Sequence, residues 1–332
     1  MKKLVSILLV NHNNNHYTID CLKSLCEQTY QHFEVIIVDN GSEYNTYLDL
    51  KRKIKDFEDN LNIILIRSNY KLYFAAGTNK GLKVAKGDYI CLLNNDTEVL
   101  SDFLEKPIAY LEKNENVGML CTKILFFYDK NRIWYAGGYL NPRSIYFSYH
   151  IGLNQKDNGK YDEIKETDFT NGAALFTTRK VIEEIGLLDE VFFMYAEDSD
   201  WSFRAKEKGY KLIYFPETVV YHKVNPITKE TRSGYRENPF QVYLYTRNKI
   251  IFTFKFYSLI SIILFFYIYQ LRATFIEILL SLRQRNPKFL TAQFRALIMG
   301  TLIGLRRKTH RNCRKIMKKE YKYINKFQKY RS

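Results

Sequence analysis

Short apolar runs alternate with helix-like segments over the first hundred residues, and this alternation constrains the fold most strongly. Residues 4–10 and 33–38 have the composition of buried strands, and residues 17–28 between them have the spacing of an amphipathic helix. Apolar runs at 61–66 and 89–93 continue the pattern. Parallel strands joined by a helix take a right-handed crossover. The pattern therefore predicts an α/β domain with a mostly parallel sheet.

Polar side chains directly follow two of these strands. Asp39 and Asn40 end the second strand, and Asn94, Asn95 and Asp96 follow the fourth. Open α/β sheets bind ligands at the carboxyl ends of their strands, so these residues are candidate binding groups. A carboxylate beside an amide suits recognition of a base or a ribose. A turn leading into the cap of the next helix explains the same residues equally well.

Three carboxylates lie close together after the aromatic run 192–195: Glu197, Asp198 and Asp200. Partial burial and like charge both raise carboxyl pKa values, so one of the three is a candidate general base. The alternative is the acidic first turn of a helix over residues 199–208, where the helix dipole favours Asp and Glu. His222 ends an apolar run 24 positions after Asp198, which allows it to return to the same cleft. A lone histidine there is also compatible with a structural role.

Two loops carry weaker signals. The loop with Asn69 and Asn79 contains glycines, but its spacing matches neither of the common phosphate-binding loops. Thr170, Asn171 and Gly172 form a small-residue turn that either presents backbone groups to a ligand or simply enters a strand.

The charge of the chain is concentrated at its carboxyl end. The formal net charge is +16, and residues 301–332 contribute twelve basic residues and one acidic residue. An apolar content of 46% excludes a disordered protein, and the basic tail requires an anionic partner. Five cysteines without a CxxC spacing predict reduced thiols rather than a disulfide framework or a zinc ribbon. The apolar amino terminus fits a first strand better than a signal peptide, since a cleavage pattern does not follow it.

Seven segments occur in an order and spacing that resemble glycosyltransferase family 2, in particular its bacterial rhamnosyltransferase-like and galactofuranosyltransferase-like members. The segments are VSILLVNHN, IIVDNGS, GTNKG, ICLLNNDTE, TNGAALF, FFMYAEDSDWSFRAKEKGY and FPETVVYHK. The resemblance covers about residues 4–225 and implies a GT-A fold, a nucleoside-diphosphate-sugar donor and inversion at the anomeric carbon. It also implies a divalent cation, Mg²⁺ or Mn²⁺, and an imidazole ligand favours manganese.

The resemblance assigns roles to individual residues. Asp198 is the expected general base, with Glu197 beside it, and Asp96 and His222 are the expected metal ligands. Donor-binding residues are expected at Asp39, Asn40, Asn69, Asn79 and Asn95, and an acceptor site at Thr170, Asn171, Gly172 and Trp201. Many relatives carry Asp where this chain has Asn94 or Asn95, which implies a metal site with fewer carboxylates.

The last third of the chain changes character, so we expect a GT-A domain over residues 1–235 and a helical, membrane-associating region over 236–332. Within the apolar run 250–271, the uncharged part 256–271 has 16 residues, fewer than the roughly 20 of a spanning helix, and predicts an interfacial or re-entrant helix. Together with the basic tail, this predicts peripheral or monotopic association with an anionic membrane surface. With the family resemblance, it implies a bacterial enzyme on the cytoplasmic face of the membrane that acts on a lipid-linked or polysaccharide acceptor. A nucleic-acid-binding protein is the second hypothesis, but it leaves the acidic cluster unexplained. A sugar nucleotidyltransferase is the third, but this sequence does not contain the glycine-rich, basic phosphate loop that such an enzyme would have near its amino terminus.

Overall fold

The computed structural model of the protein describes residues 3–140, 148–224, 239–264, 271–283, 287–309 and 313–328. The chain divides into two compact units. Unit 1 comprises residues 1–140, 149–193 and 197–226, and unit 2 comprises residues 141–148, 194–196 and 227–332. The domain boundary expected at residue 235 lies outside the described residues.

The first half of unit 1 consists of parallel strands separated by helices. Its elements are β1 (Val5–Asn11), α1 (Asn15–Cys26), β2 (Phe33–Asn40), α2 (Tyr44–Lys53), a 3-10 helix (Ile54–Phe57), β3 (Asn62–Ser68), α3 (Tyr73–Leu82) and β4 (Tyr89–Leu93). β1 lies between β2 and β4, and β2 also pairs with β3; all these pairs are parallel. The strands are apolar because both faces of the sheet are covered. The predicted α/β fold is confirmed.

The second half of unit 1 adds antiparallel pairs to the same sheet. Its elements are β5 (Thr97–Val99), α4 (Glu105–Lys113), β6 (Val117–Phe126), β7 (Asp129–Tyr135), β8 (Gly138–Leu140), β9 (Ser148–His150), β10 (Lys165–Glu166), β11 (Ala174–Thr178), α5 (Arg179–Ile185), a 3-10 helix (Glu190–Phe192), α6 (Glu197–Glu207) and β12 (Lys211–His222). β11 lies antiparallel between β4 and β6, and β12 runs parallel to β6 and antiparallel to β5. The strand order is β10-β12-β6-β11-β4-β1-β2-β3, so the sheet is parallel only in part.

Alternate residues of the strands fill two hydrophobic clusters, one on each face of the sheet. Along β2, Val35 and Ile37 join the cluster that contains side chains of α1 and α4. Ile36 and Val38 join the cluster that contains side chains of α3, α5 and α6, including Trp201. The helices thus hold the sheet from both sides and fix the carboxyl ends of its strands.

Unit 2 is helical. Its elements are α7 (Pro239–Phe256), α8 (Leu259–Leu264), α9 (Leu271–Arg283), α10 (Pro287–Lys308) and α11 (Arg314–Gln328). Helix α10 packs closely on α7 because it has glycines at the contact. A Cβ at Gly300 would lie 2.9 Å from the carbonyl oxygen of Arg247, and one at Gly304 would lie 2.7 Å from the ring of Phe254. These close approaches fix which side of α10 faces α7.

The apolar run 250–271 does not form one interfacial helix. Its first part belongs to α7, where Ile250, Ile251 and Phe252 are buried inside unit 2 and unavailable to lipid. Residues 265–270 of the run lie outside the described residues. None of the helices in the described part of the chain combines the length and apolar character needed to cross a bilayer.

Candidate active site

The carboxyl ends of β1 and β2 place two polar side chains next to each other. Asn11 pairs with Asp39 in the parallel register, and its amide donates a 3.5 Å hydrogen bond to Asp39 Oδ1. Asp39 is fully buried, and its Oδ2 has no hydrogen-bond partner among the described residues. A buried carboxylate oxygen without a partner is costly, so it is suited to accept a hydrogen bond from a ligand N–H or O–H.

Arg67 on the neighbouring strand is a site residue that the sequence analysis missed. It lies opposite Asp39 in the β2–β3 register. Its guanidinium lies over the rings of Tyr44 and Tyr47, 4.7 and 4.5 Å from their centroids. A flat, cationic and aromatic surface beside Asp39 suits the stacking of a nucleobase. Only the strand register reveals it, since Arg67 is 28 positions after Asp39 in the sequence.

The predicted donor residues Asn40, Asn79 and Asn95 all use their amides within the protein. Asn40 donates to the carbonyl of Tyr73 and accepts from the N–H of Leu72, which holds the start of α3. The Asn79 amide donates to the Leu188 carbonyl and to Glu190 and accepts from the Leu188 N–H. The Asn95 amide donates to the side chains of Asn11 and Thr18. Asn69 is exposed in the loop after β3. We therefore infer that the asparagines at 40, 79 and 95 position the backbone or other side chains instead of gripping the donor themselves.

Asp96 and His222 meet at the end of the sheet. β12 pairs antiparallel with β5, which places His222 opposite Thr97 and brings its Nε2 within 3.1 Å of Asp96 Oδ1. The Asn94 amide lies 3.4 Å from the same nitrogen. Burial raises the pKa of Asp96, but its interactions with His222 and Lys223 and a backbone hydrogen bond together outweigh burial and lower the pKa below its usual value. Asp96 is therefore ionised at neutral pH.

The residues at this position fit a divalent cation. Two neighbouring ligands of an octahedral Mg²⁺ or Mn²⁺ ion, each at about 2.1 Å, lie about 3.0 Å apart, which matches the separation of the Asp96 and His222 atoms. The Asp96 side chain is 27% exposed, so one side of the pair is open. Within the described residues, no group of three or more His, Cys, Asp or Glu side chains is arranged to hold a metal. Such a cation would therefore take its other ligands from water and substrate phosphates.

Asp198 stands in the first turn of α6. Its Oδ1 accepts a 2.7 Å hydrogen bond from the Ser199 N–H, and its Oδ2 accepts a 3.4 Å bond from the Gly172 N–H. Burial raises the pKa of Asp198, and these hydrogen bonds offset part of that increase. A carboxylate with a raised pKa is a better proton acceptor than an ordinary aspartate. The alternative of a purely capping role does not account for its contact with the turn at Gly172.

Glu197 lies beside Asp198 and is buried. Burial and the charge of Asp198 raise the pKa of Glu197 well above its usual value. Its Oε2 is buried and has no hydrogen-bond partner among the described residues. Burial therefore disfavours the charged form of both carboxyl groups, and the pKa of Glu197 is raised further than that of Asp198. The third acid, Asp200, is paired with Arg204 at 2.9 Å.

A continuous set of contacts joins Asp198 to Asp96 and His222. Gly172, which bonds to Asp198, is followed by Ala173, whose carbonyl accepts a 3.0 Å hydrogen bond from the N–H of Asn94. The amide of Asn94 in turn reaches His222. Strand β11 brings these groups together because it lies next to β4 in the sheet. Asp198, His222 and Asp96 therefore surround one end of β4 and β11.

Trp134 and His150, the two ends of an aromatic-rich segment, line the same region. The ring of Trp134 meets His222 and His150 edge to face, with both centroid distances 4.5 Å. His150 Nε2 lies 3.1 Å from the amide nitrogen of Asn171, one of the predicted acceptor residues. Burial lowers the pKa of His150 to about 4, so its ring is neutral. The directions of the Trp134 and His150 side chains depend on how their strands pair in the folded protein.

Two of the predicted acceptor residues are inside the protein. Trp201 is fully buried, and its indole N–H donates a 2.8 Å hydrogen bond to the carbonyl of Gly186, so its ring cannot stack on a sugar. Thr170 is also fully buried, where its hydroxyl contacts Ser202. Asn171 and Gly172 remain beside the general-base candidate.

Comparisons with known proteins agree with this geometry. Residues 6–186, more than half of the chain, match the family described as Glycosyl transferase family 2. The chain is 27% identical over 225 residues to the amylovoran biosynthesis glycosyltransferase AmsB of Erwinia amylovora, covering 66% of this chain and 69% of AmsB. It is 34% identical over 110 residues to the UDP-Glc:alpha-D-GlcNAc-diphosphoundecaprenol beta-1,3-glucosyltransferase WfaP of Escherichia coli, covering 33% of this chain and 42% of WfaP.

Solved structures show the same fold. The crystal structure of GalNAc-T7 with UDP, GalNAc and Mn²⁺ matches with a TM-score of 0.57 and 17% identity, covering 75% of this chain and 51% of that chain. This chain therefore spans about half the length of that protein. The likeness confirms the predicted GT-A fold.

Proposed function

The chain belongs to glycosyltransferase family 2, and from this premise we propose an inverting transferase that moves a sugar from a nucleoside diphosphate sugar to an acceptor hydroxyl. One observation supports the proposal most strongly. Asp96, His222 and Asp198 lie around one end of β4 and β11, joined by the hydrogen bonds through Asn94 and Gly172. This arrangement supports a site in which a group that holds the departing diphosphate lies near a proton acceptor.

In the proposed mechanism the donor lies across the carboxyl ends of β1, β2 and β4. Asp39 Oδ2 accepts a hydrogen bond from the base or ribose, and Arg67 with its two tyrosines supports the base. Asp96 and His222 would hold the cation, Mg²⁺ or Mn²⁺, which when bound neutralises negative charge on the diphosphate. The Mn²⁺ bound in the GalNAc-T7 structure supports this assignment.

Asp198 takes the proton. Its carboxylate removes the proton of the acceptor hydroxyl as the new C–O bond forms at the anomeric carbon and the bond to the diphosphate oxygen breaks. A single displacement of this kind inverts the anomeric centre. The raised pKa of Glu197 disfavours a second negative charge beside Asp198, which supports Asp198 as the group that accepts the proton.

The acceptor is proposed to be lipid-linked or part of a polysaccharide, presented at the cytoplasmic face of the cell membrane. The names of two relatives support this choice, since AmsB belongs to amylovoran biosynthesis and WfaP acts on a diphosphoundecaprenol-linked sugar. The strongly basic end of the chain supports an anionic membrane as partner.

A screen of nucleotide sugars tests the proposal. Purified protein is incubated with each sugar donor and with Mn²⁺, Mg²⁺ or a chelator, and released nucleoside diphosphate is measured. We expect release from one or a few donors, lost with the chelator and increased by the correct acceptor. Release that is unaffected by the chelator would contradict the role of Asp96 and His222, and no release from any donor would contradict the reaction.

A further inference from the structure

Two helices of unit 2 expose apolar stripes. On α9 the stripe consists of Leu271, Phe275, Leu279 and Leu282, and on α10 it consists of Phe294, Ile298, Leu302 and Leu305. The spacing of four, four and three positions in α10 places its side chains on one face of the helix. These eight side chains are 43–65% exposed. Apolar side chains exposed at this spacing along one face of a helix mark a binding surface rather than scattered exposed residues.

The stripe on α10 is fixed by the packing of its opposite face. Ala292, Ala296 and Ile303 are fully buried, and the glycines at 300 and 304 allow the close approach to α7. Rotation of α10 to bury its stripe would bring larger side chains into that contact, where even a single Cβ atom in place of the glycine hydrogen would lie within 3.0 Å of α7. The exposed stripe is therefore built into the fold of unit 2.

Positive charge accompanies the apolar surface. Residues 239–332 contain twenty Lys and Arg residues and two acidic residues, a formal charge of +18 against +16 for the whole chain. The preceding 238 residues therefore carry a formal charge of −2. All the net positive charge of the protein belongs to the helical region.

Helix α11 shows how this charge is displayed. Its one acid, Glu320, is fully buried and pairs with Arg247 on α7 and Arg295 on α10, at 3.4 and 3.2 Å. This pairing and the buried Ile324 fix one face of α11 in unit 2. Four lysines on the rest of the helix are exposed: Lys315, Lys318, Lys319 and Lys322. Exposed ammonium groups on α11, together with the apolar stripes of the same unit, complement a bilayer with anionic headgroups.

We propose that unit 2 docks on an anionic lipid bilayer through the apolar stripes of α9 and α10 and the lysines of α11. The stripes enter the boundary between headgroups and acyl chains, and the lysines contact lipid phosphates. This assigns the membrane contact to α9, α10 and α11 rather than to the buried residues 250–252. The biological role of this docking rests on the proposed function, since docking would bring the enzyme to a lipid-linked acceptor. The test of docking itself requires no sugar transfer.

Flotation with vesicles tests the apolar part. The full chain is mixed with phosphatidylcholine vesicles, with or without phosphatidylglycerol, and the bound fraction is measured over a range of lipid concentrations. We expect binding to the anionic vesicles, and binding about 10²-fold weaker for the double variant Phe275→Gln with Ile298→Gln, about tenfold for each side chain. The matched control Leu48→Gln with Val84→Gln, exposed apolar positions of unit 1, binds like the wild type.

A second pair of variants tests the charged part. Lys318→Gln with Lys322→Gln is expected to weaken binding to anionic vesicles about 25-fold, about fivefold for each lysine. Lys51→Gln with Lys83→Gln, exposed lysines of unit 1, serves as the control and retains binding. Added salt weakens wild-type binding in the same direction.

A fluorescent reporter keeps the test independent of losses in folding. Phe275→Trp retains an aromatic side chain, and its emission shifts to shorter wavelength when anionic vesicles are added; Leu48→Trp shows no such shift. A wild type that stays unbound, or a Phe275/Ile298 variant that binds like it, overturns the proposal. Light scattering would also overturn it if the wild type is a dimer that does not bind vesicles and the Phe275/Ile298 variant is a monomer. So would an oligonucleotide that displaces the wild type from vesicles when both are present at the same phosphate concentration. Nucleoside diphosphate release without vesicles reports separately on the proposed function.

Discussion

Replacing Asp198 by Asn removes the proposed proton acceptor with little change in shape. The Asn side chain keeps an oxygen for the 2.7 Å bond from the Ser199 N–H. Its amide nitrogen then faces the N–H of Gly172, where the lost contact was only 3.4 Å long and therefore weak. The variant also no longer holds a charge in a site where burial raises the pKa of Asp198. We expect its unfolding free energy to stay within about 1 kcal/mol of the wild type.

The effect on catalysis should be far larger. A positioned general base contributes about 10²- to 10⁴-fold to the rate, which corresponds to about 3–5 kcal/mol of transition-state stabilisation. Because Asp198 does not hold the donor in the proposed site, kcat should fall by this factor while the Kd for the nucleoside diphosphate stays within about twofold.

Asp200 provides a matched control on the same helix. Asp200→Asn breaks the 2.9 Å ion pair with Arg204, which has one fully buried partner, so it should destabilise the protein by about 2–3 kcal/mol. It should leave kcat of the folded enzyme nearly unchanged. The assay is steady-state release of nucleoside diphosphate beside thermal unfolding of all three proteins. Wild-type kcat in Asp198→Asn, or an equal loss of kcat in Asp200→Asn, would refute the assignment of the base.

Three further variants test how neighbouring residues were assigned. Since the pKa of Glu197 is raised, wild-type stability falls as the pH rises above the unfolded-chain value of about 4.3, and Glu197→Gln escapes this loss. Its advantage in unfolding midpoint should widen from acidic to neutral pH, and a constant difference would contradict the raised pKa. Trp201→Phe should cost about 1–3 kcal/mol of stability through the lost bond to Gly186, without changing the KM for acceptor; a raised KM would restore its acceptor role. Asn79→Ala should destabilise the loop at Leu188 by a similar amount, and a weakened donor affinity in the folded variant would show that it contacts the donor after all.

The sequence identifies the site best where residues end parallel strands. The position of Asp39 and Asp96 at one edge of the sheet could be predicted because the carboxyl ends of parallel strands meet there: Asp39 directly follows an apolar run, and Asp96 comes three positions after the run that ends at Leu93. Arg67 could not, because its relation to Asp39 depends on the register between β2 and β3. Trp134 and His150 likewise come together only through pairing across segments that the local pattern does not define.

Burial of individual side chains was harder to predict. Helix α6 buries Ser199, Asp200 and Ser202 as well as Trp201, so its sequence lacks the apolar stripe that indicates the inward face. Trp201 therefore looked available to a ligand when it is in the core. In unit 2 the length of the apolar run drew attention to residues 250–271, whereas the packing of α10 on α7 buries its start and leaves other helices exposed.

Calorimetry of UDP binding measures the metal-side half of the site most directly. The titration is carried out with and without Mn²⁺ on the wild type and on Asp96→Ala, with GDP as a second nucleotide if UDP does not bind. The predicted result is nucleotide binding that Mn²⁺ tightens in the wild type and does not tighten in Asp96→Ala. Equal Mn²⁺ dependence in both proteins would contradict the assignment of Asp96 as the ligand that joins the cation to the donor.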